Sequence, residues 1–220
     1  MMPGVAAQPL RRQFAGGVDP ADILADLDFL AETYAVHGAT AVAADVIDKP
    51  ARVGGSGLEI LDNDVDGVVS AIGNFDSDWL TANWTSFIEW QEVADTASTY
   101  VLWMAETVDF HSVSIVRGSA FESNPVHAGD SSTITRHIDI TGPFTAGIHR
   151  IAMTRTNGKV SVSVDGGAVQ TNTTPNTTLN AMMTASFGGD PTDQSYNGCF
   201  IRKVKLMTPQ ADALLPALSA

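Results

Sequence analysis

A strict two-residue alternation in the last third of this 220-residue chain constrains the fold more than any other feature. Val160, Val162 and Val164 alternate with Ser161 and Ser163, and Asp165-Gly166-Gly167 follows at once. Successive side chains of a strand point to opposite faces, so valine lines one face here. The Asp-Gly pair then supplies the positive φ that a tight turn requires. Leu179, Ala181, Met183, Ala185 and Phe187 repeat the period and predict a second strand with the same kind of buried stripe.

The rest of the chain carries the same signature. Long amphipathic helical runs are hard to find, whereas short Thr-, Val- and Ile-rich segments recur between Gly, Asn, Asp and Pro clusters. That pattern predicts an all-β chain. Trp84 to Trp90 and Tyr100 to Met104 are apolar on both faces, as central strands of two packed sheets are. Val113 to Val116 and Ile134 to Ile140 supply further middle strands. Two or three strands are expected between Val36 and Ile60, with turns at Asp48-Lys49-Pro50 and Gly54-Gly55-Ser56-Gly57. Asp62 to Gly67 reads as the acidic tip of a hairpin that returns through Val68 to Ile72, and Asn172 to Thr178 as a polar loop. Asp19-Pro20 offers an N-cap and a first-turn proline, predicting a short helix over Pro20 to Asp26 before a strand at Leu27-Asp28-Phe29. Thr208-Pro209 caps a second short helix, Gln210 to Leu215, which Pro216 is expected to interrupt.

Three motifs carry a resemblance: R-x-x-G-K-V-S-V-S-V-D-G at Arg155 to Gly166, F-G-G at Phe187 to Gly189, and Y-N-G-C-F-I-R-K-V-K-L at Tyr196 to Leu206. With Leu27 to Leu30, Tyr34 and Gly54 to Ile60 upstream, they resemble the concanavalin A-like and laminin G-like jelly rolls, in particular those carried on bacteriophage virions as decoration or fibre proteins. The resemblance spans most of residues 27 to 208. It implies an antiparallel β-sandwich jelly roll with an extended N-terminal arm and a short C-terminal helix. It also implies a lectin-like structural protein on a virion surface. The fold alone assigns no function, because it carries lectins, glycoside hydrolases, adhesion modules and passive structural parts.

Three segments follow: an arm over residues 1–22, the sandwich over 23–208 and a tail over 209–220. In the arm, Leu10 and Phe14 are candidate apolar anchors and Arg11 and Arg12 candidate partners for carboxylates. With Pro9 they form an expected assembly anchor onto other virion proteins (capsid, portal or tail subunits) or further copies of the chain. Residues 1–110 hold four Lys/Arg against 18 Asp/Glu, and residues 111–220 eight against seven, for a net charge of −13. Such an acidic surface argues against nucleic acid as a partner, since phosphate binding needs clustered cations. No apolar run is long enough to span a bilayer. The first residues lack the charged start and apolar core of a signal peptide, so synthesis in a host cytoplasm is expected.

Candidate chemistry is sparse. Asp62, Asp64 and Asp66 with Gly67 reproduce the opening of a calcium loop, but its twelfth position is Gly73 where a bidentate Glu belongs. A solvated hairpin tip is therefore the preferred reading, with calcium the one cofactor these residues could suggest. Glycoside hydrolysis needs two carboxyl groups across the bond. The nearest pairs, Glu89 with Glu92 and Glu106 with Asp109, have a three-residue spacing that puts partners on opposite faces of a regular strand. A non-enzymatic chain is the expectation. His37, His111, His127, His137 and His149 show no metal-ligand spacing, and Cys199, the single cysteine, reads as a buried thiol. Sugar recognition needs an exposed aromatic platform beside polar groups, and Trp79 with Asp78 and Asn83 is the candidate for a host-surface glycan. Trp90 and Trp103 are expected in the core.

Overall fold

The computed structural model describes residues 18–36, 38–47, 52–60, 83–92, 99–105, 111–117, 126–130, 133–138, 146–156, 159–173, 184–186 and 199–220. In chain order the strands are β1 (Ile23–Asp28), β2 (Thr33–Val36), β3 (Ala39–Ala41), β4 (Val53–Gly54), β5 (Gly57–Ile60), β6 (Trp84–Glu92), β7 (Thr99–Ala105) and β8 (His111–Arg117). Then follow β9 (Val126–Asp130), β10 (Thr133–Ile138), β11 (Gly147–Thr156), β12 (Lys159–Val164), β13 (Gln170–Asn172), β14 (Thr184–Ser186) and β15 (Cys199–Met207). Among the described residues there are two short α-helices, α1 (Ala43–Val46) and α2 (Leu215–Leu218).

The strands form an antiparallel β-sandwich of the jelly-roll type. One sheet runs β13-β12-β11-β6-β15-β1-β2-β3, with the β4–β5 hairpin joined to β15, and the other runs β10-β9-β8-β7-β14. β15 is the keystone of the larger sheet: along one edge it pairs with β6, and along the other with β5 and then β1. The closing strand therefore joins the first strand of the chain to the middle of the sheet.

Alternation decides what each strand buries. Trp84, Ile88 and Trp90 of β6, Ile151 and Met153 of β11, Val160 and Val162 of β12, and Ile201, Val204 and Leu206 of β15 form one apolar cluster. Leu27, Tyr34 and Val36 extend it under β1 and β2. Each fully buried large side chain contributes about 1.5–3 kcal/mol, so this cluster is the main source of stability. Burial of Trp90 and Cys199 agrees with the sequence, while the Trp103 side chain lies outside the described residues.

Two turns show why their glycines are there. The predicted turn after β12 has φ of 47° at Asp165 and 71° at Gly166, closed by a 2.8 Å bond from Gly167 N–H to the Val164 carbonyl. Both central residues lie in the left-handed region, the signature of a type I′ turn. At the hairpin tip between β4 and β5, Gly57 has φ of 112°, and a Cβ there would lie 2.5 Å from the Ile201 carbonyl oxygen. Only glycine lets β5 approach β15 this closely.

Local expectation and structure differ in four places. The helix expected over Pro20 to Asp26 is a single 3-10 turn, Pro20–Asp22, capped by Asp19. Pairing of Ile23 with Met207 claims the rest for β1, because sheet hydrogen bonds outweigh a weak helical preference. Pro216 does not interrupt the C-terminal helix but sits in the first turn of α2, where its missing N–H costs nothing. The helix accordingly starts later than predicted, after a 3-10 turn at Asp212–Leu214. The third and fourth are α1 and β9, elements whose segments carry no clear periodicity. Of the strand expected over Leu179 to Phe187, Thr184–Ser186 is described, and the turn at 48–50 and the hairpin at 62–72 lie outside the described residues.

Candidate functional site

The face of the larger sheet turned away from the core carries the best-formed cluster of charged groups among the described residues. β1 contributes Asp26 and Asp28, β15 Lys203 and Lys205, β6 Phe87, Glu89 and Gln91, and β11 Arg150. Register brings them level: Asp28 pairs with Lys203 and Asp26 with Lys205 across β1 and β15, while Lys203 lies opposite Glu89 and Lys205 opposite Phe87. Glu89 is opposite Arg150 on the other side.

A β-bulge makes this arrangement denser than a regular ladder allows. The register shifts between Ile201 and Lys203, so Arg202 is the extra residue. Bulges re-aim side chains. Ile201 and Val204 both reach the core while Arg202 and Lys203 both serve the outer face. On its other edge the Arg202 carbonyl accepts a 2.9 Å bond from Phe29 N–H, which carries the β1–β15 register one residue further.

Glu89 is held from two sides. Arg150 Nε donates to Oε2 at 2.6 Å and Arg202 Nε to Oε1 at 2.8 Å, and Arg202 Nη1 also donates to Gln91 Oε1 at 3.1 Å. Burial pushes the Glu89 carboxyl up, but the hydrogen bonds and charges of Arg150 and Arg202 outweigh it and hold the group below the usual range. Asp28 follows the same rule: burial raises it, while Lys203 and the N–H groups of Ala31 and Leu30 bring it down. Lys203 Nζ lies 2.6 Å from Asp28 Oδ2, and Lys205 Nζ donates to Asp26 Oδ2 at 2.8 Å.

Beside this ladder lies a cavity of about 320 Å³, lined by Val18, Ile23, Phe87, Glu89, Lys203, Lys205, Met207 and Leu218. Its size falls at the lower end of small-molecule sites, about 300–1,000 Å³, and it combines apolar walls with a few convergent polar groups as such sites do. On the other half of the same face the C-terminal segment covers β11 and β12. Ser219 Oγ bonds Ser163 Oγ at 2.9 Å, Thr154 Oγ1 donates to the Gln210 carbonyl at 3.2 Å, and Lys159 Nζ reaches Asp212 at 2.8 Å. Thr85 and Thr154 hydroxyls meet beneath it, and Gln210 N–H donates to Thr85 Oγ1 at 2.8 Å.

Placement of the predicted site residues is uneven. The anchor residues Pro9, Leu10, Arg11, Arg12 and Phe14, the acidic triplet Asp62, Asp64 and Asp66, and Asp78 with Trp79 lie outside the described residues, as do Glu106 and Asp109. Asn83 is half-buried immediately before β6. Glu89 and Glu92 do lie on opposite faces: Glu89 in the outer ladder, Glu92 2% exposed on the inner one. His149 stacks on Trp90 at 5.5 Å between ring centroids and bonds Asp165 Oδ2 through Nδ1 at 2.9 Å. Arg155 is fully buried on the inner face, where loss of hydration pulls its guanidinium down to about 10. Among the described residues no three His, Cys, Asp or Glu side chains gather into a metal site, and no helix is long and apolar enough to cross a membrane. The outer ladder was missed at the level of sequence. Its trace is the pairing of A-D-L-D at 25–28 with R-K-V-K at 202–205, two acids and two lysines at the same two-residue spacing.

No family model and no curated relative matches the chain. Solved structures do. A Trypanosoma rangeli sialidase aligns with a TM-score of 0.58 at 13% identity over 92% of this chain, which spans 33% of that enzyme. Domain 4 of AbnA, an extracellular GH43 arabinanase from Geobacillus stearothermophilus solved in complex with arabinotriose, aligns at 0.56 and 15% identity, covering 90% of this chain and 98% of that domain. At these identities the likeness is one of fold, and it agrees with the β-sandwich jelly roll that the sequence predicts.

Proposed function

We propose that this chain is a non-catalytic glycan-binding module. The observation that carries the reading is the cavity on the outer sheet face, where Phe87, Ile23 and Leu218 offer apolar walls and Lys203, Lys205 and Glu89 offer hydrogen-bonding groups. A sugar presents the same pairing, a C–H face for apolar contact and hydroxyls for polar groups. Near-complete coverage of an arabinanase domain solved with arabinotriose supports the reading at the level of the fold. The carboxylate at the cavity favours binding over catalysis. Clamped by two guanidinium groups and held ionised, Glu89 accepts hydrogen bonds but has no proton to give, and Glu92 faces away from it.

A glycan array probed with the full chain tests this. Selective signal on a subset of glycans is expected, and a blank array overturns the reading. Turnover on a polysaccharide panel that Glu89→Gln abolishes would overturn its non-catalytic part.

The motifs at 155–166 and 196–206 favour a second statement, that the module is displayed on a virion and joined to other virion subunits through residues 1–22. Deletion of residues 1–18 should then abolish incorporation into particles. Unchanged incorporation would exclude the arm as the anchor.

A further inference from the structure

We infer that the cavity beside the charge ladder selects an anionic sugar unit, one bearing a carboxylate or a sulfate ester; this rests on the glycan-binding reading above. The charged side chains that line the cavity are two lysines and one glutamate. The glutamate is shared by two guanidinium groups, Arg150 on one side and Arg202 on the other, while each lysine has one aspartate partner, so the ladder holds four cations against three anions. The aspartates that pair with the lysines, Asp26 and Asp28, do not line the cavity. An ammonium group has three N–H donors, and the bonds to the aspartates leave donors on Lys203 and Lys205 for a ligand.

A chain of net charge −13 thus presents, on a predominantly acidic molecule, a recess lined by two cations and one anion. Such a recess concentrates anions against the general repulsion, which makes the local charge a selective device. Apolar groups line the same cavity, with Ile23, Phe87 and Leu218 suited to the C–H face of a pyranose. A neutral sugar would satisfy the apolar wall and leave the lysine donors to water. A fatty carboxylate would satisfy the lysines but bring no hydroxyl to the remaining lone pairs of Glu89. An acidic sugar satisfies both, and the cavity volume suits a short terminal unit in place of an extended chain.

The test is a glycan array holding uronate-bearing, sulfated and neutral glycans, followed by calorimetric titration of the strongest pair that differ only in the acidic group. The acidic member is expected to bind at least about tenfold tighter, with most of that advantage lost between about 0.1 M and about 1 M salt. Which acidic class binds identifies the anion as carboxylate or sulfate. The Lys203→Gln/Lys205→Gln variant should bind both members alike. Because the lysines also serve the ladder, Leu218→Trp provides a second variant that fills the cavity from the tail side, and it should abolish binding while thermal melting shows a folded chain. Binding to neutral glycans alone overturns the inference and leaves the glycan-binding reading intact. An acidic preference that survives both variants also overturns it, since the site would lie elsewhere. A blank array overturns both.

Discussion

The outer face of the large sheet has two halves that answer the same structural problem differently. Where the C-terminal segment lies over β11, β12 and the start of β6, the sheet presents hydroxyls: Thr85, Thr154, Ser161 and Ser163, all at most 1% exposed. Where the tail reaches the sheet only through the Ala220 carbonyl on Arg150 and through Leu218 at the cavity, the sheet presents Asp26, Asp28, Glu89, Arg150, Lys203 and Lys205 in paired contact. Burying a hydroxyl costs little once it has a partner, whereas burying a charge costs several kcal/mol even when paired. Side-chain chemistry on the two halves thus marks where the tail can sit and where a cleft must stay open.

This contrast predicts a graded set of effects. Leu215 is the fully buried apolar side chain of the tail, so Leu215→Ala should cost about 2–5 kcal/mol and loosen the covered half, read as a drop in denaturation midpoint. A loss below about 1 kcal/mol would mean that the tail adheres by its polar contacts alone. Glu89→Gln should cost about 1–3 kcal/mol, because Arg150 and Arg202 lose the charge they share. The sign of the pH effect follows from the direction of the shift. Glu89 and Asp28 are held below their unfolded values, so their stabilisation is complete above an unfolded carboxyl value of about 4 and fades as pH falls through the lower folded values. Melting temperature should therefore fall on acidification from about pH 5, with a shallower decline in Glu89→Gln. An unchanged acid limb in that variant would remove Glu89 from the account.

Smaller effects sharpen the same comparison. Ser163→Ala removes the hydroxyl that bonds both Ser219 and the Gly167 carbonyl and should cost about 0.5–1.5 kcal/mol. Lys205→Gln breaks a pair whose partners are 28% and 35% exposed, and should cost about 0–1 kcal/mol. If Lys205→Gln proves the more damaging of the two, the open half is more rigid than its solvent access implies.

Much of the fold was legible in the residues. The valine alternation at 160–164, the Asp165-Gly166 turn, and the two-sided apolar run at 84–90 each correspond to an observed element, because all three depend on contacts within one strand or one turn. The acid spacing that set Glu89 against Glu92 was legible for the same reason. The ladder was not. Asp26 and Lys205 are 179 residues apart, and nothing local says that β1 and β15 are neighbours. The bulge at Arg202 was hidden too: the spacing of Ile201 and Val204 breaks the two-residue period, which makes sense only once the partner register is known.

Strand period, turn chemistry and the apolar face of each strand were thus determined by the sequence alone, since a strand's alternation is a property of its own backbone. Which strands became neighbours, which polar face the tail covered, and which charges met beside an open cavity were decided by the tertiary structure. Those outcomes depend on the register between segments far apart in the chain, and register is settled only when the buried faces pack together.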